Sequence, residues 1–355
     1  MRATCPTHTS RIRTLKQAYR LKATSMTSAT PEGGKAMGSK ASTGKPKKTK
    51  RLKWLTDRLV FAIFLAAAKA VEAMPSKICY SLGALCGSFF YVISFPLRKR
   101  TIRNLRHAGV AKTEEEAKRI AKETFTSFFK LTIDIFKAKS RMLPEKIDQI
   151  LSISGSESSK QLFFPTDGSK PAQVIIVCAH FGNWEVAGQA YSIRSGIPLM
   201  SVMRPFDNQL VGDYILARRA GNHHMVCDKQ GGVRALLRAL KQGSSISILP
   251  DQHAGIKDGG IVAQFFGHPA RTHSTPAQLH LRTGVPLLVL LCRRVNDDFQ
   301  FEFIISEPIV HKPTGDNQAD VLAVTQRMNN EIEAIIRRHP EQWLWAHRRW
   351  LDLDR

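Results

Sequence analysis

The chain lacks the short signatures of several common enzyme classes. There is no G-x-S-x-G, which excludes the usual serine-hydrolase elbow. There is no H-E-x-x-H and no G-x-G-x-x-G, which removes the common zinc-hydrolase and dinucleotide-binding readings. The six cysteines (Cys5, Cys79, Cys86, Cys178, Cys227 and Cys292) include no C-x-x-C pair. That pattern fits buried thiols in a reducing compartment, not a disulfide framework or a metal site. Acid is scarce. The 355 residues carry 29 Asp and Glu against 53 Lys and Arg, a net charge of +24. A surplus of that size seeks a polyanion: nucleic acid, anionic lipid or an acidic protein. No nucleic-acid-binding motif is present, so a nucleic-acid partner is not expected. Nor does an apolar run lie near the N-terminus, so no cleavable signal peptide is expected.

What is present falls into three regions. Residues 1–53 hold 14 Lys and Arg against the single acid Glu32 and few large apolar side chains. They read as a disordered basic tail. Residues 54–107 read as a membrane-associated helical region. Leu55 to Met74 suggests one helix. Ile78 to Leu97 is a twenty-residue stretch without charge, followed by Arg98-Lys-Arg and Arg103. By length it could span a bilayer with a cytoplasmic basic flank. It could equally pack on the domain or lie in the interface. It contains Gly83 and Gly87 at the spacing that lets helices approach closely. Residues 108–355 alternate strand-like and helix-like patterns. That favours an α/β fold with a mixed, largely parallel sheet flanked by helices, entered through N-terminal membrane-associated helices. The helix opening at Thr113-Glu-Glu-Glu116 has a broad apolar face, from Ile120 to Phe136, suited to the core and able to line a groove.

One stretch concentrates the chemistry: Val174-Ile-Ile-Val-Cys-Ala-His180-Phe-Gly-Asn-Trp-Glu185. Its apolar start reads as a buried strand, which places His180 at the strand's C-terminal tip and Glu185 in the first turn of the next helix. Open α/β sheets build their sites at such tips. On one straight helix, residues five apart point about 140° apart. The pair can therefore meet only if the chain turns at Gly182-Asn183. A carboxylate beside an imidazole fixes its tautomer and makes a general base. N–H groups at the helix start could stabilise an oxyanion.

The His180-(four residues)-Glu185 motif resembles the signature of the glycerolipid acyltransferase superfamily. Met203-Arg-Pro-Phe-Asp-Asn208, Lys229-Gln-Gly-Gly-Val-Arg-Ala-Leu236, Leu249-Pro-Asp-Gln252, Phe265-Phe-Gly-His-Pro-Ala270 and Trp343-Leu-Trp-Ala-His-Arg-Arg-Trp350 follow in order. Together they resemble the lipid A secondary acyltransferases, the lauroyl/myristoyl branch, over roughly residues 55–352. The resemblance implies transfer of a fatty acyl chain from acyl carrier protein or acyl-CoA to a lipid hydroxyl. It implies work at the cytoplasmic face of the cell inner membrane, on an anionic surface, with the acyl thioester as co-substrate and no metal or other cofactor. His180 would be the general base and Glu185 its orienting acid. A lipid A precursor is the expected acceptor. Lysophosphatidic acid or a glycosylated phospholipid is the alternative, and a non-catalytic basic membrane-binding protein is the competing class.

The same resemblance assigns phosphate contact to Arg204, with Asn208 second. Asp251 could pair with Arg204, orient the acceptor, or simply cap a turn; Gln252 follows it. Lys229 and Arg234 flank a glycine pair opening a helix, an anion-binding arrangement. His347-Arg348-Arg349 among Trp343, Trp345 and Trp350 suits either a lipid headgroup or a packed C-terminal cap.

Overall fold

The computed structural model describes residues 47–203, 206–220, 223–228 and 231–351. The chain divides into residues 1–51 and 52–355. Of the first unit only residues 47–51 are described, so the expected disordered tail lies almost wholly outside the described residues. Among the described residues four helices come first: α1 (Lys47–Ala73), α2 (Ser76–Ile93), α3 (Phe95–His107) and α4 (Glu114–Arg141). The short α5 (Ile147–Ile150) leads to β1 (Leu151–Ser154) and α6 (Glu157–Phe163). An alternating series follows: β2 (Ile175–Val177), α7 (Trp184–Ser195), β3 (Leu199–Met203), α8 (Gln209–Ala220), β4 (His224–Asp228), α9 (Gly232–Lys241) and β5 (Ser245–Ile248). A hairpin of β6 (Gly260–Phe265) and β7 (His268–His273) precedes α10 (Thr275–Thr283), β8 (Leu287–Arg294), β9 (Phe301–Ile305) and α11 (Asn317–Arg338).

Seven strands form one sheet in the order β1-β9-β8-β2-β5-β3-β4. Only the β8–β9 pairing is antiparallel; every other neighbour runs parallel. The mixed, largely parallel sheet expected from the strand–helix alternation is therefore observed. Strand β2 sits in the middle, and its two faces feed two cores. Ile175 and Val177 pack with Leu236, Leu279, Val324 and Met328 from α9, α10 and α11. Ile176 and Cys178 pack with Phe163 and Tyr191 on the opposite face. The period-two alternation of a strand divides them this way. Each such fully buried aliphatic side chain stabilises the fold by roughly 1.5–3 kcal/mol.

Helix α4 starts as its sequence indicates. Thr113 Oγ1 accepts from Glu116 N (3.1 Å), and Glu116 Oε2 accepts from Lys112 N (2.7 Å). The uncharged run from Ile78 to Leu97 is not one helix. Chain direction changes at Ser94, and Pro96 lies in the first turn of α3. Proline has no N–H to continue a helix and disfavours helical backbone before it. Among the described residues, α2 alone is long and apolar enough to cross a membrane. Its Gly83 and Gly87 face α4. A Cβ on Gly83 would lie 2.5 Å from Ile133 Cδ1, and one on Gly87 2.6 Å from Thr126 Cα. Close packing within the chain is thus what the two glycines serve. The other face of α2 leaves Ile78, Leu82, Leu85, Phe89, Val92 and Ile93 exposed, and α1 likewise exposes Leu52, Leu55, Leu59 and Ile63.

The basic flank is only partly outward. Lys99 is exposed. Arg98 donates to Tyr91 O (3.3 Å) and Val92 O (3.0 Å) at the end of α2. Arg100 donates to Ala346 O (3.2 Å) in the C-terminal segment. That segment is held by Asn104 too, whose amide donates to Trp345 O (2.8 Å) and His347 O (3.0 Å). Trp343, Trp345 and Trp350 are all buried, so of the two expectations for this block the packed cap holds for its tryptophans.

Candidate active site

Strands β2 and β5 are paired with Val177 opposite Ile248. Three residues beyond each lie His180 and Asp251, so equal overshoot brings the two side chains together. Asp251 Oδ1 lies 2.9 Å from His180 Nδ1, and Oδ2 accepts from His180 N at 2.8 Å. Trp343 Nε1 donates to the same Oδ2 at 2.9 Å. Asp251 is 1% exposed and the His180 side chain 23%. The imidazole is thus pinned at Nδ1, with its other nitrogen left for chemistry. Burial by itself pushes the Asp251 carboxyl up. The charge of protonated His180, the bonds from its ring and backbone and the Trp343 indole outweigh burial and hold it at about 2. Asp251 therefore stays ionised beside His180, the condition for stabilising an imidazolium.

This corrects one expectation. The carboxylate on Nδ1 is Asp251, not Glu185. The reason is local. After His180 the chain passes through a tight corner at Gly182 (φ 51°), where a Cβ would fall 2.0 Å from Cys292 O. Asn183 then caps α7, its Oδ1 accepting from Glu185 N (3.1 Å) and Val186 N (2.9 Å). Glu185 thus belongs to the first helical turn, half-buried. The cap also takes two of the N–H groups expected to face an oxyanion. Gly182 N and Asn183 N are bonded to Gln342 O and Cys292 O, both at 2.8 Å. Among residues 180–186, the Trp184 backbone N–H meets no acceptor among the described residues.

Behind the corner lies a buried polar cluster. Asp134 of α4 is 0% exposed. It accepts from Tyr80 OH of α2 (2.6 Å) and from Asn183 Nδ2 (2.7 Å), and pairs with Arg294 of β8. Asn183 therefore braces the helix start with one end and grips α4 with the other. A single acid inside the apolar run Leu131–Phe136 was the available sequence signal for this role. Cys178, two residues before His180, is buried, and burial pushes its thiol up to about 12. It is no thiolate nucleophile at neutral pH.

Beside His180 a narrow crevice of about 10 Å³ is lined by Thr124, Ser127, Phe128 and Leu131 of α4, with Trp184 and Leu344. Ile120, Phe125, Leu131, Ile133 and Phe136 of α4 are buried in the core, and Leu131 also borders the site beside the exposed Phe128. Of the other expected residues, Arg204 and Lys229 lie outside the described residues. Asn208 caps α8, accepting from Leu210 N (3.0 Å) and Val211 N (3.3 Å), and donates to Asp57 O of α1 (2.8 Å). It is engaged structurally, because an Asn at a helix start satisfies otherwise orphan N–H groups. Arg234 is exposed on α9, which follows β4, three strands from β2. Gln252 follows Asp251 and is half-buried.

An open α/β sheet with a histidine–carboxylate pair at its strand tips and an apolar crevice beside it fits the acyltransferase class of α/β proteins. The particular family follows from comparison. The chain belongs to the bacterial lipid A biosynthesis acyltransferase family, whose profile matches residues 45–352. It is similar to the lipid A biosynthesis palmitoleoyltransferase of Escherichia coli, 31% identical over 179 residues, which are 50% of this chain and 55% of that protein. It is similar to the lipid A biosynthesis lauroyltransferase of the same organism, 25% identical over 84% of this chain and 91% of that one. It is also similar to a phosphatidylinositol mannoside acyltransferase of Mycobacterium tuberculosis, 25% identical over 50% of this chain and 54% of the relative. In the first and third of these matches the chain spans about half the length of the curated relative.

Proposed function

We propose that this protein transfers a fatty acyl chain from a thioester, on acyl carrier protein or CoA, to a hydroxyl of a lipid A precursor. The observation that carries the reading is the His180–Asp251 pair beside the crevice edged by Phe128 and Leu131. In the proposed reaction, His180 Nε2 takes the proton of the acceptor hydroxyl. The hydroxyl oxygen forms its bond to the thioester carbonyl, the carbon–sulfur bond breaks, and the thiolate leaves with the proton that His180 returns. Asp251 holds the imidazole with Nε2 unprotonated before the step and balances its charge during it. The acyl thioester is the co-substrate, and no metal or further cofactor takes part in this reading. Glu185, the second member of the motif, keeps a separate part in the site. Arg204 and Lys229 are assigned to anionic groups of the substrates.

The enzyme works, in this reading, at the cytoplasmic face of the inner membrane. The exposed apolar faces of α1 and α2 support this, because contiguous patches of that kind mark membrane or protein contacts. A glycosylated phospholipid as acceptor is the second reading, favoured by the similarity to the mannoside acyltransferase. The test is His180→Ala, purified in detergent, with lipid products followed by mass spectrometry. Transfer should fall by about 10²–10⁴ with the circular dichroism unchanged. Wild-type turnover in that variant would rule the mechanism out. In Glu185→Gln the pH midpoint of kcat/KM should stay where it is; a lowered midpoint would return Glu185 to the imidazole.

A further inference from the structure

A second cleft opens within electrostatic reach of the catalytic pair. It has a volume of about 390 Å³ and is lined by Arg100, His253, Ala346, His347, Arg348 and Leu351. Among the described residues, every titratable side chain in that lining is basic. His253 comes two residues after Asp251 and His347 four after Trp343, so both are carried by the segments that build the His180 corner. The charges of Asp251 and His180 both act on His347. The walls behind add more positive charge, since Arg271 and Arg349 act on His253. Asp251, whose charge acts on His347, is already bonded to His180 and Trp343.

One buried nitrogen of this cleft lacks a partner. His347 Nδ1 is buried with no hydrogen-bond partner. One N–H of Arg100 goes to Ala346 O, and a guanidinium carries five. Leaving buried polar atoms unpaired costs free energy, so such a cluster calls for an acceptor supplied from outside. An anion rich in oxygen, able to accept from arginine and imidazole together, meets that need. Position narrows the choice. Arg100 lies on α3, shortly after the exposed Val92, Ile93 and Phe95, so the cleft lies near the level where lipid headgroups would sit.

We propose that the Arg100–His253–His347 cleft is a phosphate-binding subsite that holds a phosphate of one reactant while its reacting group faces His180. The proposal rests on the acyl-transfer reading. The phosphate comes either from the acceptor headgroup or from the phosphopantetheine arm of the donor. It is distinct from the position assigned to Arg204, which follows β3.

The experiment uses the full chain in detergent with His253→Gln, Arg100→Gln and, as a charge-matched control, Lys99→Gln. His253 is included because Arg100 also holds Ala346, so its loss could disturb the loop. Binding of inorganic pyrophosphate is measured first by calorimetry. Wild type and Lys99→Gln should bind, and the two cleft variants should bind about tenfold more weakly, the loss of one charge-assisted hydrogen bond. This readout needs no turnover, so it stands even if acyl transfer itself is not observed. Kinetics then separate the sources. A KM raised about tenfold for a phosphorylated acceptor, and unchanged for the dephosphorylated one, assigns the cleft to the acceptor. A raised KM for the thioester donor, absent with a short thioester lacking phosphate, assigns it to the donor. Equal pyrophosphate affinity in wild type and both cleft variants would overturn the proposal, as would an equal loss in Lys99→Gln, which would reduce the effect to bulk charge.

Discussion

Replacing Asp251 by Asn tests the centre of the mechanism with almost no change of shape. Oδ2 accepts two bonds, from His180 N (2.8 Å) and Trp343 Nε1 (2.9 Å). Only the carbonyl oxygen of an amide can occupy that position. The amide NH₂ is then turned toward His180 Nδ1, where it donates. That forces the ring proton onto Nε2, the atom that must take the acceptor's proton. Turnover should fall by about 10³–10⁴, as expected for a wrong tautomer held in an intact geometry. Stability should respond separately. The lowering of Asp251 from 3.8 to about 2 is worth on the order of 2 kcal/mol of pH-linked stability. Because the folded carboxyl titrates lower than the unfolded one, this contribution is fully present above pH about 4. It is lost as the pH falls through about 2. Thermal midpoints of wild type should therefore drop between pH 4 and 2, and those of Asp251→Asn should drop less. The assay is initial-rate acyl transfer in detergent, beside a melting series in pH. A variant that keeps more than a tenth of wild-type turnover would refute the tautomer argument.

Three other outcomes are expected. Gly182→Ala places a Cβ 2.0 Å from Cys292 O at a φ of 51°, so it should destabilise by about 3 kcal/mol or more and cut turnover, read by thermal melting and rate together. Asp134→Ala leaves the Arg294 guanidinium buried without its partner and should cost about 3–5 kcal/mol; near-wild-type denaturant unfolding would show that the cluster is idle. Leu85→Asp with Phe89→Asp, both on the exposed face of α2, should release the protein from vesicles, whereas a wash in about 1 M salt, where the Debye length is about 3 Å, should not release wild type. Full release of wild type by salt would remove apolar burial as the anchor.

Local sequence determined much of this protein. The β-branched run before His180, the Gly182-Asn183 corner and the Thr113–Glu116 cap each act over a few residues, and each is realised where the sequence indicates. Regular alternation of strands and helices likewise carried the parallel sheet, because a parallel neighbour requires a crossover connection. The limit of the α2 segment was also written locally, in Pro96, though the uncharged run to Leu97 masked it. What the tertiary structure decided is which distant residues meet. Asp251 reaches His180 from 71 residues away in the chain, and Trp343 reaches Asp251 from 92 residues away. Asp134, Arg294 and Tyr80 gather behind Asn183 from three different elements. Glu185 was the nearer acid in sequence, yet the start of a capped helix turns its backbone away from the strand tip into a helical turn. Adjacent parallel strands ending in register supply a carboxylate at hydrogen-bonding distance instead, and strand order is set by long-range packing that no local pattern encodes.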